Sequence, residues 1–240
     1  MQGAMKRVNR VMALATEVAV AVVLTGAGAS AGAASPASPG FPSGPSITNP
    51  LFPLQPGTTY TYDGTTGTQP EHEVLTVTSN VKKINGIPSL QVVDSNFVSG
   101  HLVESTLDYY AQDFAGNVWY MGEFATQYKH GHPTGHVGSW MAGRNEAMSG
   151  IIMEASPRVG DLYRQEFSAG IAEDAAKVLS TTSSVHTPFG TWINNVLLTK
   201  DFSYIETGVE HKYYVPGIGL VKSKDVVGGS EVLALTGIQR

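Results

Sequence analysis

Beyond Thr58 the chain alternates apolar and polar residues with a period of two, broken at short intervals by glycine, asparagine and aspartate. That is the pattern of β-strands with one buried face, joined by turns. Thr58-Thr59-Tyr60-Thr61-Tyr62 is β-branched and aromatic, and Asp63-Gly64 closes it. Residues 74–84 and 87–93 flank Asn85-Gly86, the pair that most favours a two-residue hairpin with a type I′ turn. Further strands are expected over 102–112, 118–128, 161–168, 191–200, 211–215, 220–223 and 231–236. Strands at this spacing predict an all-β fold: an antiparallel barrel, half-barrel or sandwich. One stretch departs from the pattern. Residues 171–179 carry Ile171, Ala172, Ala175, Val178 and Leu179 at helical spacing, which predicts one short helix, or else a strand whose alanines lie under a covering loop.

The second hairpin carries the candidate chemistry. With a tight turn at Ala115-Gly116, Asp108 opposes Glu123, Tyr110 opposes Met121 and Gln112 opposes Trp119. Alternation then gathers Glu104, Asp108, Tyr110, Gln112, Trp119, Met121 and Glu123 on one face. Val103, Leu107, Tyr109, Ala111, Val118, Tyr120 and Phe124 form the other, which reads as the core face. Two carboxylates directly opposite repel unless they are solvated, share a proton or meet a cation. A face mixing acids with aromatics is either a solvated surface or the wall of a ligand cavity inside a barrel. On the second reading Glu104, Asp108, Tyr110, Trp119 and Glu123 bind the ligand, joined by Arg164 from residues 161–167. A carboxylate pair for carbohydrate chemistry would come from Asp108, Glu123, Glu166 and Glu173.

Composition narrows the choice. The 240 residues include 27 Gly and 13 Pro, no Cys and only 15% charged residues, too apolar for a disordered chain and too interrupted for a helical bundle. Without cysteine there is no disulfide, thiolate nucleophile or thiolate metal site. The beginning of the chain reads as a secretory signal over residues 1–33: Lys6, Arg7 and Arg10, then an apolar run, then Ala29-Ser30-Ala31 and Ala31-Gly32-Ala33 as small-residue cleavage sequences. Residues 34–56, rich in Ala, Ser, Pro and Gly, read as a linker whose end at 49–54 can pack on the domain, and 57–240 as a single β domain. Removing Lys6, Arg7 and Arg10 from 15 basic residues and Glu17 from 20 acidic ones takes the net charge to −7. Such a surface disfavours nucleic acid and anionic lipid.

The run Thr106-Leu107-Asp108-Tyr109-Tyr110-Ala111-Gln112-Asp113, then Gly116-Asn117-Val118-Trp119-Tyr120 with Gly122-Glu123, then Val159-Gly160-Asp161 with Tyr163 and Gln165-Glu166, and finally His211-Lys212-Tyr213-Tyr214 before Pro216-Gly217-Ile218-Gly219, resembles a family of exported bacterial proteins of unassigned function. The resemblance runs from about Leu51 onward. It implies secretion and a single β domain, and no catalytic role.

Other motifs add little. His130, His132 and His136 lie in a glycine-rich loop that could gather imidazoles around a divalent metal, but an exposed polar loop that binds metal only adventitiously accounts for them better, because built metal sites use ligands fixed on rigid elements. There is no Gly-x-Ser-x-Gly elbow and no phosphate-binding glycine loop. The sequence therefore predicts a secreted protein that holds a small molecule or glycan in a barrel cavity or groove and needs no cofactor. An extracellular hydrolase or lyase and a cell-envelope interaction protein are the alternatives.

Overall fold

The computed structural model describes residues 40–240; the signal reading of residues 1–33 lies outside them. Fifteen strands follow in order: β1 Thr59–Thr66, β2 Gln69–Ile84, β3 Ile87–Val98, β4 His101–Gln112, β5 Val118–Lys129, β6 His132–Gly135, β7 Trp140–Met141, β8 Met148–Met153, β9 Leu162–Arg164, β10 Glu166–Phe167, β11 Asp174–Thr187, β12 Gly190–Ser203, β13 Val209–Val215, β14 Gly219–Val227 and β15 Val232–Gln239. All pairings are antiparallel, in the order β10-β8-β5-β4-β3-β2-β1-β15-β14-β13-β12-β11-β9, with β6 and β7 added to β5. The protein is all-β, a nearly closed barrel.

Turn chemistry sets most of the neighbours. Asn85 and Gly86 both have positive φ, 46° and 84°, and join Ile84 to Ile87 as the sequence predicts. Ser99-Gly100 and His130-Gly131 repeat that geometry, so two inconspicuous dipeptides also close hairpins. The predicted helix at 171–179 is absent: its second half opens β11, with Ala175, Ala176 and Val178 buried. Ala176 lies between Asp201 of β12 and Tyr163 of β9, and pairing on both edges outweighs a local helix preference too short to persist alone. The strand reading is the one that holds, with the alanines between two paired edges.

Residues 162–167 close the barrel. Their first half pairs with β11 and their second with β8, so one short segment joins both edges of the sheet. At this seam Gly150 of β8 lies against the backbone of Arg164 and Gln165, where a Cβ would overlap both. Gly150→Ala should therefore cost on the order of 3 kcal/mol by forcing the strands apart. Hydrogen exchange should show residues 162–167 losing protection first; unchanged protection there would mean that the segment does not close the barrel.

The described part of the linker is folded onto the barrel. Ile47, Asn49 and Leu54 are buried, and Ile47 bridges to Leu54. Asn49 gives its amide hydrogens to the Gly116 and Glu154 carbonyls, while Gln112 Oε1 accepts the Thr48 and Asn49 amides. Phe52 meets Tyr110 edge-on at 5.2 Å.

Candidate functional site

Strand alternation fills the inside of the barrel with acids and tyrosines. Ten buried acids belong to this interior: Glu71 and Glu73 on β2, Glu104 and Asp108 on β4, Glu123 on β5, Glu166 on β10, Asp174 on β11, Asp201 on β12, Glu210 on β13, and Glu231 next to β15. Among the described residues no lysine or arginine is equally buried; Lys212 comes nearest, its ammonium 3.3 Å from Glu210 and 3.4 Å from Asp201. Burial alone would lower the Lys212 pKa, but Glu210 and Asp201 outweigh it and raise it. Buried charges are tolerated only when partnered by opposite charge, hydrogen bonds or shared protons.

The Asp108–Glu123 pair shows how. They are cross-strand neighbours, as the sequence predicts, and the Tyr120 hydroxyl lies 2.6 Å from Asp108 Oδ1 and 2.9 Å from Glu123 Oε2. A phenol has one proton to donate, so the second short contact is satisfied when that carboxyl itself is protonated and donates to the phenol oxygen. Burial first, then Asp108 and Glu123, push Tyr120 well above the ordinary tyrosine range. Glu166 and Asp174 form a second pair. Burial raises Asp174 to about 7, and burial followed by the Asp174 charge raises Glu166, whose carboxyl hydrogen-bonds to Asp174.

The face expected to be the core is not the barrel interior: Phe124 is exposed and Val103 and Leu107 are half-buried, and the pairing also shifts. A bulge at Tyr109/Tyr110 pairs Tyr110 with Tyr120 and Gln112 with Val118, so Tyr120 joins Asp108, Tyr110 and Glu123 inside. Trp119 moves to the outside, half-buried, packing edge-on against Phe41 at 6.0 Å and donating its indole N–H to Asp113. Gly122, with φ 144° and no room for a Cβ against Trp140 and Met141, makes the bulge fit. The other predicted positions separate. Glu104 is fully buried inside, accepting from Thr106 and Gln127. Arg164 is exposed and reaches Glu173 at 3.5 Å, so neither of these two faces the interior. Glu166 points inward, because the break between β9 and β10 reverses the alternation that put it beside Arg164. His136 stacks on Phe124 at 4.5 Å, and among the described residues no three His, Asp or Glu side chains converge as metal ligands.

A cavity of about 150 Å³ lies inside the barrel. Its β2–β5 wall presents Glu73, Asp94, Asp108, Tyr110 and Glu123; the far wall presents Glu210, Lys212 and Tyr214; Phe52, Pro53 and Leu54 of the folded linker cover one end. Phe52, Pro53, Ile218 and Leu220 are only half-buried, so the cavity meets solvent along that rim. Sequence reasoning missed Glu73, Asp94, Glu210 and Lys212. Their signal is the same alternation that exposed Asp108: Glu71/Glu73, Asp94/Asn96 and Glu210/Lys212/Tyr214 each recur at every second position.

Comparison with known proteins leaves the site unassigned. No family profile and no curated protein matches the chain. A solved protein of Parabacteroides distasonis, provisionally called a lipoprotein, aligns over 79% of this chain and 98% of its own, at 13% identity and a TM-score of 0.39.

Proposed function

We propose that this is an exported binding protein that holds a small molecule inside the barrel. The observation that carries the reading is the cavity: aromatic side chains at one end, a few placed polar groups along the walls, and a rim that meets solvent. Its volume sets the size of the ligand. A cavity of about 150 Å³ takes a molecule the size of benzene, roughly six non-hydrogen atoms, and an oligosaccharide is too large. The carboxylate pair Asp108–Glu123 fits binding better than glycoside hydrolysis, which needs two carboxyls facing each other across an open cleft, because the Tyr120 phenol stands between them. Export rests on the sequence of residues 1–33.

The test is a thermal-shift panel of neutral, cationic and anionic compounds of this size. A ligand at a hundred times its Kd should add about 2.7 kcal/mol of stability. Ile152 lines the cavity, and Ile152→Phe, which fills it, should abolish that gain. A panel without effect, together with a more stable Ile152→Phe, would make the cavity a packing defect.

A further inference from the structure

On β11 to β14 the alternation that turns acids inward turns bases outward. Asp174, Asp201 and Glu210 are buried inside, and Asp225, cross-strand from Glu210, accepts the Glu231 amide. These are the only acids on the four strands. The residues that alternate with them face out. Lys200 precedes inward Asp201, His211 lies between inward Glu210 and Lys212, and Lys224 follows cavity-lining Ser223. Cross-strand pairing sets Lys177 beside Lys200, Lys200 beside His211 and His211 beside Lys224, one basic row across four strands. Lys177 and Lys224 are exposed, and Lys200 and His211 are half-buried. Lys222, two positions along β14, pairs with Tyr213 on the same outer face.

The fold does not account for that row. Like charges directly opposite one another weaken a sheet. Burial first, and with it the Lys200 and Lys224 charges, lower the His211 pKa against the pull of Asp201 behind it. Among the described residues the ion pairs of lysine and arginine are Arg164 with Glu173 and Lys212 with Asp201 and Glu210, so no carboxylate holds Lys177, Lys200 or Lys224. Aromatic rings flank the row. The Lys200 ammonium lies over the Phe202 ring at 5.5 Å, the Arg164 guanidinium over the Tyr204 ring at 4.7 Å, and Phe202 meets Tyr204 edge-on at 5.4 Å. Tyr204 is 54% exposed. Lysines take anionic groups by charge-assisted hydrogen bonds, and exposed aromatic rings offer an apolar face beside them.

We propose that this outer face binds an acidic polysaccharide, a chain of uronic-acid sugars with one carboxylate on each ring, laid across the strands along Lys177, Lys200, His211 and Lys224 with Phe202 and Tyr204 beside it. Neighbouring strands lie about 4.8 Å apart, so the row presents a side-chain nitrogen at that interval over about 15 Å. Carboxylates spaced one to a sugar suit such a row. Duplex nucleic acid carries a charge every ~1.7 Å, too dense for cations at this spacing and repelled by a protein of net negative charge. The site lies outside the barrel and does not depend on the cavity.

The experiment is calorimetric titration of the full chain at pH 7 and low salt with polygalacturonate, neutral dextran, a single-stranded DNA oligomer and phosphatidylglycerol vesicles. Polygalacturonate should bind and dextran should not. Lys200→Glu and Lys224→Glu should each weaken binding at least tenfold, whereas Lys83→Glu, the same charge change on the exposed β2–β3 hairpin, should leave it unaltered. Circular dichroism checks the fold of both row variants, and either one alone gives the reading. Absence of polygalacturonate binding, or equal weakening by Lys83→Glu, means that the row is no site. Tighter binding of the DNA or the vesicles, lost in Lys200→Glu, assigns the face to phosphate groups and overturns the sugar. A native dimer by light scattering that Lys200→Glu makes monomeric gives the face to a second copy of the chain, and the proposal fails.

Discussion

Tyr120→Ala is expected to destabilise the protein by about 4 kcal/mol, the cost typical of removing a buried aromatic, and by clearly more than Trp119→Ala. Tyr120 is 1% exposed, stacks on Tyr110 at 5.0 Å and meets Trp140 edge-on at 5.5 Å. Its hydroxyl also bridges Asp108 and Glu123, so truncation leaves two facing carboxyls with neither the ring nor the bridge. Tyr120→Phe separates the contributions: packing survives, the bridge does not, and the cost should fall to about 1–3 kcal/mol. Trp119 is half-buried on the outside, and its truncation removes the contact with Phe41, the bond to Asp113 and partial packing on the core. Denaturant melts of the three variants decide the order. A Trp119→Ala variant less stable than Tyr120→Ala would place the interior on the other side of β5.

The second large effect is a loss of stability as pH rises from about 4 to about 7. Unfolded, the Asp174 and Glu166 carboxyls ionise near pH 4. Folded, burial holds Asp174 to about 7, and burial with the neighbouring Asp174 charge raises Glu166 as well. The folded state therefore binds more protons than the unfolded state throughout that window. Stability from this pair is complete below the unfolded values and is lost as pH climbs through the folded ones, by on the order of 3 kcal/mol. The groups facing the pair are Glu123 and Trp140 around Glu166, and Ser203, Lys212 and Glu206 around Asp174. Glu154, raised to about 6 by burial and then Asp161, adds a smaller effect of the same sign because its shift is smaller. Asp174→Asn should flatten the profile of melting temperature between pH 4.5 and 7.5. A native protein that gains stability across that range would show that the pair does not hold its proton.

The fold was legible because turn chemistry and alternation are local. Asn85-Gly86 needs nothing beyond itself to form its turn, and period-two alternation already paired Asp108 with Glu123. What escaped the sequence depends on contacts made elsewhere. The bulge that exchanges Trp119 for Tyr120 relies on Gly122 meeting Trp140 and Met141, two residues delivered by a later strand. Strand β11 looked helical because its alanines are good helix formers, and only β9 and β12 on its two edges override that preference. Half of the candidate site was visible in one hairpin. The other half, Glu73, Asp94, Glu210 and Lys212, comes from strands far apart in the chain, and only closure of the barrel brings them around one space.

The most direct test of that space is the electron density inside the barrel of crystals soaked with n-pentylamine or 1-pentanol. A binding cavity predicts continuous non-water density reaching from Phe52 and Tyr110 toward Asp108 and Glu123. Separate water peaks bridging the carboxyl groups, unchanged by either soak, would contradict it and leave the interior a hydrated polar core.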